Sequence, residues 1–478
     1  MKKLSHRAGR HRVLLYNPRA EFFTMPLGLL AVGSHLAPQR YEVIIVDGRL
    51  EADPVKQIVA HLDGALCLGV SVLTGPPIRD ALRISRAAKD YRPDLPVVWG
   101  GWHPSLFGLE CLKEASVDLT VQGQGEETFA EILDCLAQGR GPGEVQGCAW
   151  RTPDGSRQVN QSRPQGDINH FRPHDYSLLP VGRYFDLKGK RQLDYISSQG
   201  CLFRCAFCSE PLVSKRRWSG LEPARVGQEI QRLWETHRFA DLNFQDETFF
   251  TRTDRVEGIA EEFIRLGLTI TWATTMRADQ GARLPESVWA KCKRSGLRRV
   301  IIGAESGSQK ILDRISKDIR LGQVFECAHR CRRFEIAATF NFVVGFPWET
   351  KADFQASLKV ARQLRRLSPQ FQTPFFYYLP YPGSRLLAEM VDQGYCPPRS
   401  LEEWANLDFG AASGPWVTPA KFKLVERLNF YRQMAANPSH LWPQPLPLLA
   451  SWRCRHDFYA FPLEKVLAQR RLQPQQPK

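Results

Sequence analysis

Cys201, Cys205 and Cys208 stand in the run SSQGCLFRCAFCSE, spaced C-x3-C-x2-C directly after the strand-like segment LDYISS. Three soft thiolates on one short loop can hold three irons of a cubane [4Fe-4S] cluster and leave the fourth iron open for chemistry. A cluster that only carries electrons would normally take a fourth cysteine. Twelve cysteines in 478 residues produce this spacing about 478 × (12/478)³, or 0.008, times by composition alone, so chance is a poor explanation. Three buried structural thiols are the plain alternative. Zinc suits the loop less well, because structural zinc sites are closed and no fourth ligand stands nearby.

The elements around this loop read as strand and helix in alternation. From Asp194 the runs LDYISS, DLNFQD, TITWATT, RRVIIGAE, ATFNFVVGF and TPFFYYLP look like strands, each but the last followed by a helical stretch. They predict a partial (β/α)6 TIM-like barrel over 193–385, with its active site at the carboxyl ends of the strands. The cysteine loop falls at one such end, as do Asp246, Glu247, Arg277, Glu305 and the segment GFPWE.

Upstream, over 10–140, RVLLYN, EVIIVD, ALCLGVSV, PVVWGG and LTVQGQ read as five buried parallel strands. Their spacing predicts an α/β, doubly wound, Rossmann-like domain that binds ligands outside the carboxyl ends of its strands. The loops there are MPLG, SVLTGPP, GGWHPS and GQGEET, and their glycines allow close approach of the backbone to a ligand, although such turns use glycine in any fold of this class. Residues 141–192 read as a polar linker with a hairpin at Asp154 and Gly155. The region 386–478, rich in aromatics and proline, reads as mostly helical or irregular. It is expected to close the barrel, line a substrate pocket or dock on a membrane surface, ranked in that order.

The composition, 43% hydrophobic and 24% charged, is that of a globular protein too long for one core. No run approaches the length of a membrane span, and the basic start MKKLSHRAGRHR leads into a strand instead of a signal-peptide core. The expected location is the cytoplasm, where the cysteines outside the triplet stay as free thiols. A net charge of +15 favours acidic partners, yet the basic residues are scattered (KRRW at 215–218, RQLRRL at 362–367, QRRL at 469–472), so solvated faces explain most of them. No nucleic-acid module accompanies the charge, and a nucleic-acid partner is not expected.

Taken in order, these motifs resemble a known family. Residues 194–385 resemble the radical S-adenosylmethionine (SAM) core, and residues 12–140 resemble the cobalamin-binding domain that precedes it in one large subfamily, the class B radical SAM methyltransferase-like proteins. The resemblance implies three cofactors: a [4Fe-4S] cluster, SAM and cobalamin. It assigns Cys201, Cys205 and Cys208 to the cluster and Phe207 to the adenine face, where stacking is physically sensible. FQDETFF at 244–250 corresponds to the second-strand motif, so that Asp246 or Glu247 faces the methionine ammonium. Arg277 in TTMRAD would pair with the methionine carboxylate through its planar fork. Glu305 and Ser306 in IIGAESGSQ correspond to the fourth-strand segment, which puts Glu305 at the ribose hydroxyls or substrate. The plain alternatives are a salt-bridged layer for Arg277 and Glu305, and ordinary core for Phe207.

For cobalamin the resemblance points to Ser71, Leu73, Thr74, Gly75, Gly100, Gly101, Trp102, His103, Gly123, Gly125 and Glu126. The D-x-H-x-x-G signature that supplies a lower axial histidine in other cobalamin domains is absent. His103 is therefore expected as a loop histidine hydrogen-bonded near the corrin, not as a cobalt ligand. Cys67, Cys111, Cys135 and Cys148 lack cluster spacing, unlike the second cysteine triplet of the related methylthiotransferases.

The activity implied is methylation of an unactivated carbon, or of phosphorus in some relatives. One SAM would methylate cobalamin, and a second would be cleaved to a 5′-deoxyadenosyl radical that activates the substrate. An electron donor such as flavodoxin or ferredoxin is implied, and a small-molecule or lipid-like substrate is suggested by the aromatic runs FQTPFFYYLPY, WANLDFG and LWPQPLPLL. Peripheral membrane contact is compatible with this surface. The rival readings are an oxidative cyclase or rearrangement enzyme with the same cofactors, and a non-catalytic cobalamin or redox sensor.

Overall fold

Apolar runs covered on both faces make the first sheet. Val13 to Tyr16, Cys67 to Val70 and Val97 to Trp99 hold side chains almost wholly removed from water, as parallel strands between helical layers require. In the computed structural model these runs form β1 (His11–Asn17), β2 (Tyr41–Asp47), β3 (Ala65–Ser71), β4 (Val97–Gly100) and β5 (Leu119–Val121). The model describes residues 9–21, 23–407, 414, 416–436, 446–456, 458–462 and 464–465. Parts of two tail runs, 408–410 of WANLDFG and 441–445 of LWPQPLPLL, lie outside the described residues, as does the basic run at 469–472.

The chain divides into two units, Met1–Thr275 with Arg294–Gly296 and Pro380–Asp408, and Met276–Lys293 with Leu297–Leu379 and Phe409–Lys478. In the first unit the sheet order is β2-β1-β3-β4-β5, all parallel. The order reverses between β1 and β3, which makes a crevice at their carboxyl ends. Helices cover the sheet with amphipathic faces. Helix Pro77–Tyr91 buries Ile78, Ala81, Leu82, Ser85 and Ala88, and Trp99 Nε1 donates to Ser85 Oγ at 2.9 Å. The stretch read as a linker contributes β6 (Cys148–Arg151) and β7 (Arg157–Val159), added antiparallel to β5 as a hairpin around Asp154 and Gly155. The hairpin is the one expected at Asp154 and Gly155, but its short strands carry no sign that they extend the first sheet.

The same unit carries the start of the second strand series: β8 (Gln192–Tyr195), β9 (Ser198–Gly200), β10 (Trp218–Gly220), β11 (Asp241–Phe244) and β12 (Thr271–Met276), the last residue excepted. β8, β11 and β12 are parallel neighbours. Asp194 on β8 is fully buried and accepts from Lys188 Nζ at 2.5 Å and from Met25 N at 2.8 Å, which fastens the loop before the first helix to this sheet. β9 and β10 form a separate antiparallel pair with Gly200 opposite Trp218, and they close the base of the cysteine loop. Gly200 has φ +87°, and a Cβ there would stand 2.3 Å from Arg217 O. Only glycine fits the position.

In the second unit β13 (Leu297–Glu305), β14 (Ala337–Val344), β15 (Phe371–Gln372) and β16 (Phe375–Tyr377) continue the strand-helix series, with β14 parallel to the other three. The described tail of this unit is helical, at Pro419–Ala436 and Leu446–His456. Among the described residues no helix is long and apolar enough to cross a membrane.

Candidate functional site

The cysteine loop emerges from the Gly200–Trp218 pair. Cys201, Cys205 and Cys208 are half-buried, and Cys208 N donates to Cys205 O at 3.2 Å, a turn that keeps the last two close. Cys208 Sγ accepts from Glu210 N at 3.4 Å, an outer-shell bond of the kind that supports a thiolate ligand. Burial pushes the Cys208 thiol up to about 12, helped by the nearby Cys205 and Cys201. Among the described residues no three His, Cys, Asp or Glu side chains close into a metal cage. The three thiols are neighbours on one loop, and thiolates that repel one another in a buried setting suit a cationic iron cluster.

Behind the loop, the two acids of FQDETFF have different employment. Asp246 is buried and accepts from Ser197 N at 2.8 Å, Ser197 Oγ at 2.7 Å and Ser198 Oγ at 2.5 Å. It braces the strand leading to Cys201. Glu247 is held at the backbone of Gly200, but its Oε2 is buried with no hydrogen-bond partner. Burial raises its pKa to about 8, with the Glu210 carboxyl and Asp246 adding to the effect. Glu210 is itself pushed up to about 7 by burial. An orphaned carboxyl oxygen beside a second acid is a fitting receptor for an ammonium or sulfonium cation.

Both acids face a cavity of about 700 Å³ inside the first unit. Its walls include Ser71, Leu73, Gly100, Gly101, Trp102, Gly123, Gly125 and Glu126 from the carboxyl ends of the first sheet, and Gly200, Glu210 and Glu247 from the cysteine side. Gly123, at φ +72°, has nothing within 4 Å of where a Cβ would be, so the backbone itself presents to open space. A large apolar and polar-rimmed cradle of this kind fits a planar macrocycle better than a small metabolite.

Three residues expected at cobalamin do not line the cavity: Thr74, Gly75 and His103. His103 is fully buried, its Nδ1 lies 3.1 Å from Thr74 Oγ1, and its ring packs edge-on to Phe107 and Trp404. Burial lowers its pKa to about 4, which keeps the imidazole neutral. Phe207 is half-buried between Cys205 and Cys208.

Arg277, Glu305 and Ser306 belong to the second unit. Arg277 is buried, donates from Nε to Asp279 Oδ1 at 2.9 Å and from Nη2 to Lys317 O at 2.6 Å. Lys317 Nζ in turn donates to Glu305 Oε1 at 2.7 Å. Glu305 has φ +58° and sits where the β13–β14 register shifts, between Gly303 and Glu305. A left-handed glutamate at a bulge re-aims its side chain off the strand, as functional bulges do. Ser306 Oγ lies 3.2 Å from Ser357 Oγ and accepts from Ser308 N.

Sequence reasoning passed over Glu210, Gln124 and Gln199, all on the cavity wall. Glu210 had a signal, an acid two residues beyond the last cysteine. The glutamines had none, because nothing in a single sequence marks an amide that bridges two sheets.

Comparison with known proteins agrees with this layout. The B12 binding domain family matches residues 15–133, and the Radical SAM superfamily matches residues 195–361. The chain is 30% identical over 391 residues to the uncharacterized methyltransferase PH0819 of Pyrococcus horikoshii, covering 80% of this chain and 82% of that one. It is 27% identical to the anaerobic magnesium-protoporphyrin IX monomethyl ester cyclase of Rubrivivax gelatinosus, over 74% of this chain but only 63% of the cyclase. The solved structure of the cobalamin-dependent S-adenosylmethionine radical enzyme OxsB, with aqua-cobalamin and S-adenosylmethionine bound, shares the fold at a TM-score of 0.74 and 17% identity, over 94% of this chain and 71% of that one. The chain belongs to the cobalamin-binding radical SAM family, whose cofactors are cobalamin, SAM and a [4Fe-4S] cluster.

Proposed function

We propose that the protein is a methyltransferase that methylates an unactivated carbon of a small-molecule or lipid-like substrate. The observation that carries the reading is the single cavity of about 700 Å³ walled on one side by the cobalamin-type loops and on the other by the flanks of the cysteine loop. A methyl donor and a radical source that share one chamber can act on one substrate in sequence. The 30% identity to PH0819, itself named a methyltransferase, supports it. When bound, the cluster and SAM supply a hydrogen-abstracting radical and cobalamin supplies the methyl group.

The residues of the chain do the holding. Cys201, Cys205 and Cys208 bind the cluster, and Phe207 lies beside it for the adenine. Glu247 offers its unpartnered oxygen to the ammonium of SAM, while Asp246 keeps the serines ahead of Cys201 in place. The family resemblance implies SAM contacts at Arg277, Glu305 and Ser306 as well, and Lys317 links Arg277 to Glu305. Ser71, Leu73, Gly100, Gly101, Trp102, Gly123, Gly125 and Glu126 form the cobalamin cradle, and Thr74, Gly75 and His103 support it from behind. A flavodoxin- or ferredoxin-type protein delivers the electron.

The likeness to the cyclase favours a second reading, oxidative ring closure with the same cofactors. Incubation of the reconstituted protein with methyl-labelled SAM separates the two. Label in the product is expected, and turnover of substrate without label would replace methyl transfer by cyclisation. Cys205→Ala should abolish both the visible absorption of the cluster and release of 5′-deoxyadenosine.

A further inference from the structure

The wall of the cavity is electrically divided. Glu210 and Glu247 hold buried carboxyl groups next to the cysteine loop, whereas Lys215 and Arg217 line the same cavity at its exposed rim. Arg163 is there too, but its guanidinium is already paired with Glu127 at 3.3 Å and Glu131 at 2.5 Å. Lys215 and Arg217 have no such neutralisation. Lys215 Nζ meets only a hydroxyl, Ser162 Oγ at 2.7 Å, and no acidic side chain among the described residues pairs with Arg217.

The backbone that presents them is not an ordinary solvated loop. Lys215 and Arg216 are consecutive non-glycine residues at φ +51° and +55°, a left-handed conformation that costs L-residues steric energy. Such strain persists where surrounding structure enforces it, and it concentrates at ligand clamps. The enforcement is visible: Arg217 N donates to Ser214 O at 3.0 Å, Arg217 O presses against the bare Cα of Gly200, and Trp218 pairs with Gly200 in the β9–β10 ladder. The two cations are thus set on a rigid base beside Cys201, although a basic run such as KRRW reads from sequence as a solvated face.

We propose that Lys215 and Arg217 form an oxyanion-binding mouth to the cavity, which takes a phosphate-type group carried by the substrate or by the nucleotide tail of cobalamin. An ammonium and a guanidinium without counter-ions attract such a group and bind it with charge-assisted hydrogen bonds. The substrate source rests on the methyl-transfer reading above; the binding site itself does not.

The test uses the full, cluster-reconstituted chain and inorganic pyrophosphate as the probe, followed by titration calorimetry. Wild type and a Lys113→Gln control should bind alike, with affinity that falls as salt rises, and Lys215→Gln/Arg217→Gln should bind at least about tenfold more weakly. Equal binding by wild type and the double variant would overturn the site. Both residues are exposed, and thermal melting of the double variant and of Lys215→Glu/Arg217→Glu checks that the fold is intact. The source follows from binding of cobalamin and of cobinamide, which lacks the phosphodiester tail. A defect of the double variant for cobalamin alone assigns the oxyanion to the cofactor, and no defect for either assigns it to the substrate. Because pyrophosphate binding needs no turnover, its failure leaves methyl transfer standing, and an unlabelled product in the methyl-label experiment leaves this site standing.

Discussion

Gln199 donates from Nε2 to Glu126 Oε1 across 3.2 Å, which joins the strand entering the cysteine loop to the first turn of the helix that follows β5. Gln124 Nε2 donates to Gln199 Oε1 at 2.8 Å, and Gly166 N donates to Gln124 Oε1 at 2.7 Å, so the link is a chain of amides along the cavity wall. On the proposed assignment of the cavity walls, the link sets the distance between the cobalamin side and the cluster side. Gln199→Leu keeps the bulk and removes the bonds. It should leave release of 5′-deoxyadenosine near the wild-type rate while methylated product falls about tenfold to a hundredfold, the cost of slight misplacement of reacting groups. Quantifying both products in one reaction gives the ratio. A parallel fall of the two would assign Gln199 to cluster binding or folding instead of spacing.

Glu247 gives a prediction in which stability and binding move in opposite directions. Burial, with Glu210 beside it, raises its pKa to about 8. Between the ordinary carboxylate range and about pH 8 the folded chain keeps a proton that the unfolded chain has lost, so stability falls as pH rises through that window. Glu247→Gln cannot ionise. Without SAM it should melt about 2–4 °C above wild type at pH 8 and close to wild type at pH 5, because only at the higher pH does the native acid carry its desolvation cost. The same variant should bind SAM at least about tenfold more weakly, for want of a charge-assisted bond to the ammonium. Wild-type affinity would remove Glu247 from the SAM site.

The reading from sequence was strongest where chemistry and period coincide. Cysteine spacing located the loop, and the buried runs of β1, β3 and β4 located the first sheet, because strands enclosed on both faces are apolar without interruption. The FQDETFF motif offers two acids that the sequence does not tell apart, and their surroundings differ: Asp246 is consumed by Ser197 and Ser198, and Glu247 is left with an open oxygen. Residues 141–192 show the other limit. The hairpin is legible at Asp154 and Gly155, but β6 owes its place to pairing with β5 and β7 lies at the sheet edge through β6, and local sequence carries little trace of so distant a partner. His103 follows Gly101 and Trp102 of the cavity wall, yet its ring packs on Trp404, a residue 301 positions later in the chain. Contacts of that separation leave no signature in a single sequence.

His103 also tests the cobalt environment. Its imidazole is buried, neutral and bound to Thr74, outside the cavity wall. His103→Gln should therefore leave the electron paramagnetic resonance spectrum of the cobalt(II) form unchanged, with no nitrogen splitting from a protein imidazole in either protein. The substitution should instead lower the melting temperature by about 2–4 °C through lost packing against Phe107 and Trp404. Loss of a nitrogen splitting present in wild type would make His103 a ligand after all.

Glu210 governs Glu247 through charge, and the sign of its effect is fixed by the geometry. After burial, its carboxyl is the strongest of the effects that hold the Glu247 pKa up. Glu210→Gln removes a negative charge without changing shape, so Glu247 should ionise at lower pH. If the Glu247 carboxylate receives the ammonium of SAM, the midpoint of SAM affinity against pH should move down by about one pH unit. Affinity well above pH 8 should change less, because Glu247 is already ionised there in wild type. The pH profile of SAM binding, measured on both proteins with the cluster in place, reads this directly. A uniform loss at every pH would mean that Glu210 contacts SAM itself, and an unmoved midpoint would place the titration that controls binding on another group.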